Sequence, residues 1–433
     1  MEYIQRNLFN EIKKWIERRE ILIIKGPRQA GKTTLLEMLK SWLIKKGVDK
    51  ENIIFITFED IEIRENFSAN PKDFVRRFAI NENERYYFLI DEAHYCTDIG
   101  QKLKLLYDLN KNIKFIATGS SSLEITAETG KFLVGRMFSF ELFPFNFHEY
   151  LDYKDKGLSR IYLEENKKVK DFLFFDKDFE IKETKVDIFI GELQRHLEEY
   201  LIFGGYPEVI KAKTDEEKNI ILKNIFNTYL VKDVVSYLNI TDTAKFRKLI
   251  SMLSFSTGNL ISYENLSRNC GSYFKEILTF IDILEQTYVL ILLRPFHKSM
   301  VTELKKNPKV YFIDTGLRNY ALNNFNNPDT RADAGALAEN FVFNQINQIK
   351  ENNSLNFWRT TAKAEVDFVL TVGDKIIPVE VKFEAMKKPK ITRSFRSFLE
   401  NYRPEKAVIV TKNLWAEEIV GETKIKFIPI IYL

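Results

Sequence analysis

Short apolar runs alternate with helix-period stretches over the first third of the chain. Ile21–Ile24, Ile53–Phe58, Tyr86–Ile90 and Ile113–Thr118 are rich in β-branched and aromatic residues, and the segments between them carry apolar positions at helical spacing. Strands separated by helices predict a parallel sheet with helices on both faces across residues 11–145. A last strand, Met137–Leu142, leads through Phe143-Pro144-Phe145 out of this domain. The pattern then changes. Residues 151–190 are rich in Lys, Glu and Asp without a clear period and read as an insertion or connector. From Glu192 to Leu238 the period is helical, broken at Phe203-Gly204-Gly205-Tyr206-Pro207.

Helical spacing returns at Ala244–Phe255, followed by a Ser-capped helix at Ile261–Leu266 and a longer helix over Ser272–Gln286. A hairpin is predicted over Arg294–Ile313, with Lys298, Lys305, Lys306 and Lys309 on it. Two short helices, a longer helix and a basic hairpin are the layout of a winged helix. Phe274, Ile277, Leu278, Ile281 and Leu284 describe a core face on the long helix, so a winged helix used only for packing stands beside one that reads DNA. From Gly335 to Ile349 the pattern is helical again. Strand-like runs follow at Val366–Val372, Lys375–Val381, Ala407–Val410 and Ile425–Tyr432, which predicts a small α/β domain.

The chemistry is written most clearly at Gly26-Pro27-Arg28-Gln29-Ala30-Gly31-Lys32-Thr33. This is a P-loop pattern lying between an apolar strand and a helix that begins near Thr34. The two glycines permit a tight loop whose N–H groups turn toward phosphate oxygens, and the helix N-terminus behind it adds partial positive charge. Lys32 would reach the β- and γ-phosphates of ATP, and the Thr33 hydroxyl would ligate Mg²⁺. Sixty residues on, the run Tyr86–Ile90 ends in Asp91 and Glu92. A buried parallel strand delivers such acids to its C-terminal edge, where α/β sheets bind ligands. Asp91 would hold Mg²⁺ through water, and Glu92 would orient the attacking water as general base. Arg136 follows Gly135 and could neutralise transition-state charge, in its own chain or from a neighbouring subunit, or else pair structurally with an acid.

Length and composition narrow the class. A chain of 433 residues is too long for one core, so about two to four domains are expected. Two distant cysteines and four scattered histidines exclude a disulfide framework and a Cys-based zinc site. A net charge of +4 is too small to imply a nucleic-acid partner by itself, so local patches decide. The first residues lack the apolar core of a signal peptide, and no run approaches the length of a membrane span, so a soluble cytoplasmic protein is expected.

Taken together, the GPRQxGKT loop, the LIDEAH strand, the TGSS strand end at 118–121, the Gly135-Arg136 pair and the PFxFxE exit resemble the archaeal-type AAA+ ATPases common in prokaryotes. In those proteins the ATPase domain is followed by a domain of unknown function. Phe-Gly-Gly-Tyr-Pro-Glu at 203–208 and Gly335-Ala336-Leu337-Ala338-Glu339-Asn340 match that second half, so the resemblance covers nearly the whole chain. It implies an ATP site, a helical lid with a winged helix, and a nuclease-like C-terminus. The expected domains are residues 1–150, 151–238, 239–320 and 321–433 in that order. In AAA+ proteins a polar residue after the fourth strand senses the γ-phosphate; Thr118 or Ser120 would do so here, with Ser120 favoured. Asp91-Glu92-Ala93-His94 also spells a helicase signature, but the chain has no second domain of the required length and pattern.

The C-terminal domain carries a second constellation. Glu380 and Lys382 share one strand face by alternation, and Asp367 lies on the preceding run across the turn at Gly373. With Glu339 on the helix before them, these residues resemble the PD-(D/E)xK nuclease core, except that Val366 stands where that signature has proline. The resemblance implies a Mg²⁺ site from Glu339, Asp367 and Glu380, with Lys382 beside the metal-bound water. Lys387, Lys388, Lys390, Arg393 and Arg396 follow, a local surplus that suits a phosphate backbone or simply a solvated face. Two functions are therefore expected. One is a Mg²⁺-dependent ATPase coupled to a nuclease-like, DNA-interacting domain; the other is an ATP-dependent switch or scaffold whose nuclease-like domain is inactive. Homo-oligomer formation fits both.

Overall fold

β1 (Ile21–Lys25), β2 (Ile53–Thr57), β3 (Tyr86–Asp91), β4 (Ile113–Gly119) and β5 (Met137–Glu141) form one sheet in the order β2-β3-β4-β1-β5. All four pairings are parallel. In this computed structural model the described residues are 3–119, 132–181, 188–228, 243–296, 307–350 and 352–433. They fall into two compact units, Met1–Phe145 with Ile283–Val289, and Asn146–Asp282 with Leu290–Leu433.

In the first unit, alternation along β1 sends Ile21 and Ile23 into one core and Leu22 and Ile24 into the other. The first core adds Phe58, Phe67, Phe88, Leu103 and Phe115; the second adds Leu35, Leu36 and Leu39 of the helix Lys32–Lys45, with Leu89 and Ile116. Every residue of β3 and β4 is buried, as expected of central parallel strands covered on both faces. The sheet therefore presents the ends of β1, β3 and β4 along one edge.

The second unit begins with helices Phe147–Lys154 and Lys156–Phe174. This corrects the expected connector over residues 151–190. The Lys156–Phe174 helix buries Leu158, Tyr162, Val169, Phe172 and Leu173, but also Ser159 and Asn166, and these polar positions blur the apolar stripe. Asn166 is buried because its amide donates to the Tyr432 and Leu433 carbonyls, and the Tyr162 hydroxyl donates to the Leu433 carbonyl. Helices Ile190–Phe203, Pro207–Lys211 and Asp215–Ile225 follow.

Next come helices Thr243–Phe255 and Tyr263–Cys270, the latter capped by Ser262, and the helix Phe274–Gln286, whose residues up to Asp282 belong to this unit. β6 (Leu290–Leu293) pairs antiparallel with β7 (Lys309–Phe312). The paired strands thus begin at Leu290 rather than Arg294, and Lys298, Lys305 and Lys306 lie outside the described residues. After the helix Ala334–Ile349, a mixed sheet forms from β8 (Ser354–Arg359), β9 (Glu365–Val372), β10 (Lys375–Lys382), β11 (Lys406–Thr411), β12 (Ala416–Val420) and β13 (Thr423–Pro429). Its order is β12-β13-β11-β10-β9-β8. Gly373, at φ +58°, makes the two-residue turn that sets Lys375 opposite Val372. The helix Arg393–Tyr402 crosses from β10 to its parallel neighbour β11.

Candidate functional site

The first site forms where β1, β3 and β4 end. The chain leaves β1 at Gly26, whose Cβ, if it had one, would stand 2.1 Å from the Leu142 carbonyl oxygen, so only glycine fits. Gln29 (φ 60°) and Gly31 (φ 96°) take left-handed conformations, and the helix Lys32–Lys45 starts directly behind them. Pro27 and Ala30 are buried, while Gln29, Thr33 and Thr34 face solvent. The Lys32 side chain is buried, and its Nζ donates to the Gly26 and Pro27 carbonyls at 3.2 and 3.0 Å. Burial lowers the affinity of this ammonium for its proton, against the pull of Glu92 and Asp91.

Asp91 is the hub. Its Oδ2 accepts from Thr33 Oγ1 at 2.7 Å and its Oδ1 from Thr118 Oγ1 at 2.5 Å. The Thr118 hydroxyl in turn accepts from the Glu92 amide at 3.1 Å. Glu92 itself sits at φ 50°, a left-handed conformation uncommon for a side-chain-bearing residue and concentrated at functional sites. Its Oε2 lies 3.0 Å from His94 Nδ1. Burial pushes the Glu92 carboxyl up, but His94, Lys32 and Arg28 outweigh that and hold it below the ordinary carboxylate range. A carboxylate that stays ionised beside a lysine-bearing loop has the protonation state a water-orienting base needs. The hydroxyl and carboxylate oxygens of Thr33 and Asp91 are hard donors side by side, a donor set that suits Mg²⁺.

Two residues of this site carry no signal in the local sequence. Arg6 is buried, with Nη1 donating to the Ala30 carbonyl at 2.9 Å and Nη2 to the Phe143 carbonyl at 2.5 Å, and its guanidinium lies 4.3 Å over the Phe145 ring. It braces the loop from 24 residues upstream. Tyr95 accepts from Arg28 Nη2 at 3.0 Å.

Arg136 is not brought to this site. It precedes β5, its carbonyl accepts from the Ile21 amide, and its Nε is 2.9 Å from Asp108. Ile21 starts β1 and the P-loop follows its end, so Arg136 lies at the opposite edge of the sheet, roughly 16 Å away at about 3.3 Å per residue. The structural pairing is the one observed, and a role at the phosphates of its own chain is excluded by distance. Ser120 lies outside the described residues, whereas Thr118 is buried in the site.

The second constellation lies in the C-terminal unit. Continuing the β9–β10 register by one step from Phe368↔Val379 sets Asp367 opposite Glu380. Asp367 Oδ2 accepts from the Val381 amide at 2.8 Å, and its charge raises the proton affinity of Glu380, so the two carboxylates converge. Glu380 is nearly buried; its Oε1 meets Lys382 Nζ at 2.9 Å and Thr392 Oγ1 at 3.0 Å. Burial pushes its carboxyl up, partly offset by Lys382.

One further cation, not assigned to this centre by the sequence pattern, stands among the acids. Lys309, the first residue of β7, is 1% exposed, and its Nζ lies 3.0 Å from Glu339 Oε1, 2.6 Å from Glu365 Oε1 and 3.8 Å from Asp367 Oδ1. The expected phosphate-facing wing lysine is thus buried. Tyr311 Oη donates to Glu339 at 2.5 Å, and Arg359 pairs with Glu365. Burial and the Asp367 charge push the Glu339 carboxyl up to about 7, against Lys309. Lys309 Nζ already stands among these acids as their cation, in the space a divalent ion would need. Among the described residues no group of three or more His, Cys, Asp or Glu side chains is arranged to hold a metal ion. Of the residues expected at a metal, Glu339 and Asp367 face Lys309, and Glu380 faces Lys382. Lys387, Lys388, Lys390, Arg393 and Arg396 are exposed beside Thr392.

Residues 18–151 match a family model described as AAA domain, and residues 194–328 and 334–433 match two models each described as a domain of unknown function. The first match, with the parallel sheet and its loop, supports a P-loop AAA+ ATPase domain there. An uncharacterized protein of Haemophilus influenzae is 25% identical over 422 residues, covering 95% of this chain and 93% of its own. The uncharacterized protein MJ1544 of Methanocaldococcus jannaschii is also 25% identical, covering 95% of this chain and 87% of its own. Among solved structures, C. elegans PCH-2 gives a TM-score of 0.29 at 16% identity over 52% of this chain and 69% of that one. Domain III of the Thermotoga maritima replication initiation protein DnaA gives 0.28 at 19% identity over 52% and 94%. Scores at this level carry no argument about this chain. No helix among the described residues is long and apolar enough to cross a membrane.

Proposed function

We propose that this chain binds and hydrolyses Mg²⁺–ATP at the N-terminal site and uses the nucleotide state to control its C-terminal unit. The observation that carries the reading is the Asp91 carboxylate held at 2.7 Å from the Thr33 hydroxyl at the P-loop. Backbone N–H groups of Gly26 and residues 28–33 would cradle the phosphates, with Lys32 turning from its own loop carbonyls to the β- and γ-phosphates. Thr33 and Asp91 would hold Mg²⁺, which when bound neutralises phosphate charge. Glu92 would take up and orient the attacking water, with His94 fixing the carboxylate. Thr118 positions both acids, because one hydroxyl donates to Asp91 and accepts from the Glu92 amide. Lys32→Ala should abolish nucleotide binding in an equilibrium titration with labelled ATP; undiminished binding contradicts the site.

For the C-terminal unit, the switch or scaffold reading is favoured over metal-dependent cleavage by one observation, Lys309 among the acids. A DNA contact would run through the exposed basic segment 387–396 rather than the winged-helix-like layout, since the helix Phe274–Gln286 carries Lys275 against Glu276, Asp282 and Glu285. Incubating DNA and RNA with Mg²⁺ or Mn²⁺, with and without ATP, separates the two: cleavage lost in Asp367→Ala restores the nuclease reading.

A further inference from the structure

We propose that Lys309 is a resident cation that takes the place of a divalent metal in the C-terminal carboxylate cluster, so that the cluster is closed to metal until that lysine is removed. Three observations meet. The ammonium is almost wholly buried yet has three carboxylates around it at 2.6, 3.0 and 3.8 Å, the arrangement of donors about a bound cation rather than of a single ion pair. The carboxylates come from separate elements, Glu339 from the helix Ala334–Ile349 and Glu365 and Asp367 from β9, while the lysine comes from β7. Finally, each acid has a second partner: Tyr311 donates to Glu339 Oε1, Arg359 pairs with Glu365 Oε2, and the Val381 amide donates to Asp367 Oδ2.

The placement is held by packing. The Tyr311 ring stacks on Phe343 at 4.3 Å, which fixes β7 against the helix that carries Glu339, and Lys309 Nζ lies 5.6 Å from the Phe357 ring centroid. A cation delivered by a strand cannot diffuse away as a bound metal ion can. Its charge offsets one of the three carboxylates around it, and the Arg359 guanidinium offsets a second, that of Glu365. Removing the lysine frees the Glu339, Glu365 and Asp367 oxygens that face it, and these are then open to a divalent ion.

The inference is independent of the ATPase reading, and its test uses the full chain without nucleotide, with Mn²⁺ alone as the probe. Bound Mn²⁺ is counted by electron paramagnetic resonance in wild type, Asp367→Asn, Lys309→Met and the Lys309→Met/Asp367→Asn double variant. Wild type and Asp367→Asn should bind the same amount of Mn²⁺. Lys309→Met should gain about one Mn²⁺ per chain over wild type, and the double variant should lose that gain. Mn²⁺ bound by wild type and lost in Asp367→Asn overturns the proposal, and so does a folded Lys309→Met that gains none. Should Lys309→Met fail to fold, the comparison of wild type with Asp367→Asn decides the matter.

Discussion

The Thr118 hydroxyl donates to Asp91 at 2.5 Å and accepts the Glu92 amide at 3.1 Å, so one side chain on β4 fixes both acids delivered by β3. Neighbouring parallel strands thereby set the geometry of a site whose acids are adjacent in sequence. Thr118→Val keeps the β-branched shape and removes the hydroxyl. It should cost about 1–3 kcal/mol in urea unfolding, because two buried polar groups lose a partner. ATP turnover should fall with it. An unchanged unfolding midpoint together with unchanged turnover would contradict the positioning role.

Arg136 pairs with Asp108 at the sheet edge opposite the P-loop. The pair is partly exposed, so Arg136→Ala should change stability by less than about 1 kcal/mol. In its own chain it should leave ATP turnover unaltered. Turnover lost in Arg136→Ala and recovered on mixing it with Lys32→Ala protein would show that a neighbouring subunit supplies this arginine.

Glu199 gives a pH dependence with a defined sign. Burial pushes its carboxyl up, but Lys218, Tyr150 and Lys154 outweigh this and hold it down to about 2. The partners lie at 2.9, 2.8 and 3.1 Å. A depressed folded value means the stabilisation is complete above the ordinary carboxylate range and is lost as pH falls through about 2. Its size is at most roughly 3 kcal/mol. Unfolding of Glu199→Gln and wild type should therefore differ most near neutral pH and converge on acidification; a gap that stays constant with pH would contradict the assignment.

The parallel sheet, the P-loop and the strand carrying Asp91 and Glu92 are legible in the sequence because short buried strands and a glycine-rich loop have strong local signals. The roles of Thr118 and Arg6 are less so. A hydroxyl at a strand end is also an ordinary turn former, and Arg6 acts on a loop 24 residues away through backbone carbonyls. The helix Lys156–Phe174 escaped because Ser159 and Asn166 occupy its buried face, where hydrogen bonds to Tyr432 and Leu433 make Asn166 acceptable. β12 was missed for the opposite reason: Glu417 and Glu418 interrupt its apolar pattern, and Glu417 is held by buried Lys426 of β13 at 2.5 Å. Lys309 was visible only as one basic residue in a hairpin; the acids around it lie 30, 56 and 58 positions further along the chain. Local pattern cannot report a partner fixed by tertiary packing.

The central claim is that Glu92 orients water for ATP hydrolysis at a site formed by Lys32, Thr33 and Asp91. Single-turnover hydrolysis by Glu92→Gln, alongside a nucleotide-binding titration of the same protein, tests it most directly. The variant keeps the phosphate and Mg²⁺ contacts, so affinity should stay within about threefold of wild type while the hydrolysis rate falls by roughly 10²–10⁴. Hydrolysis at the wild-type rate by the folded variant would contradict the account.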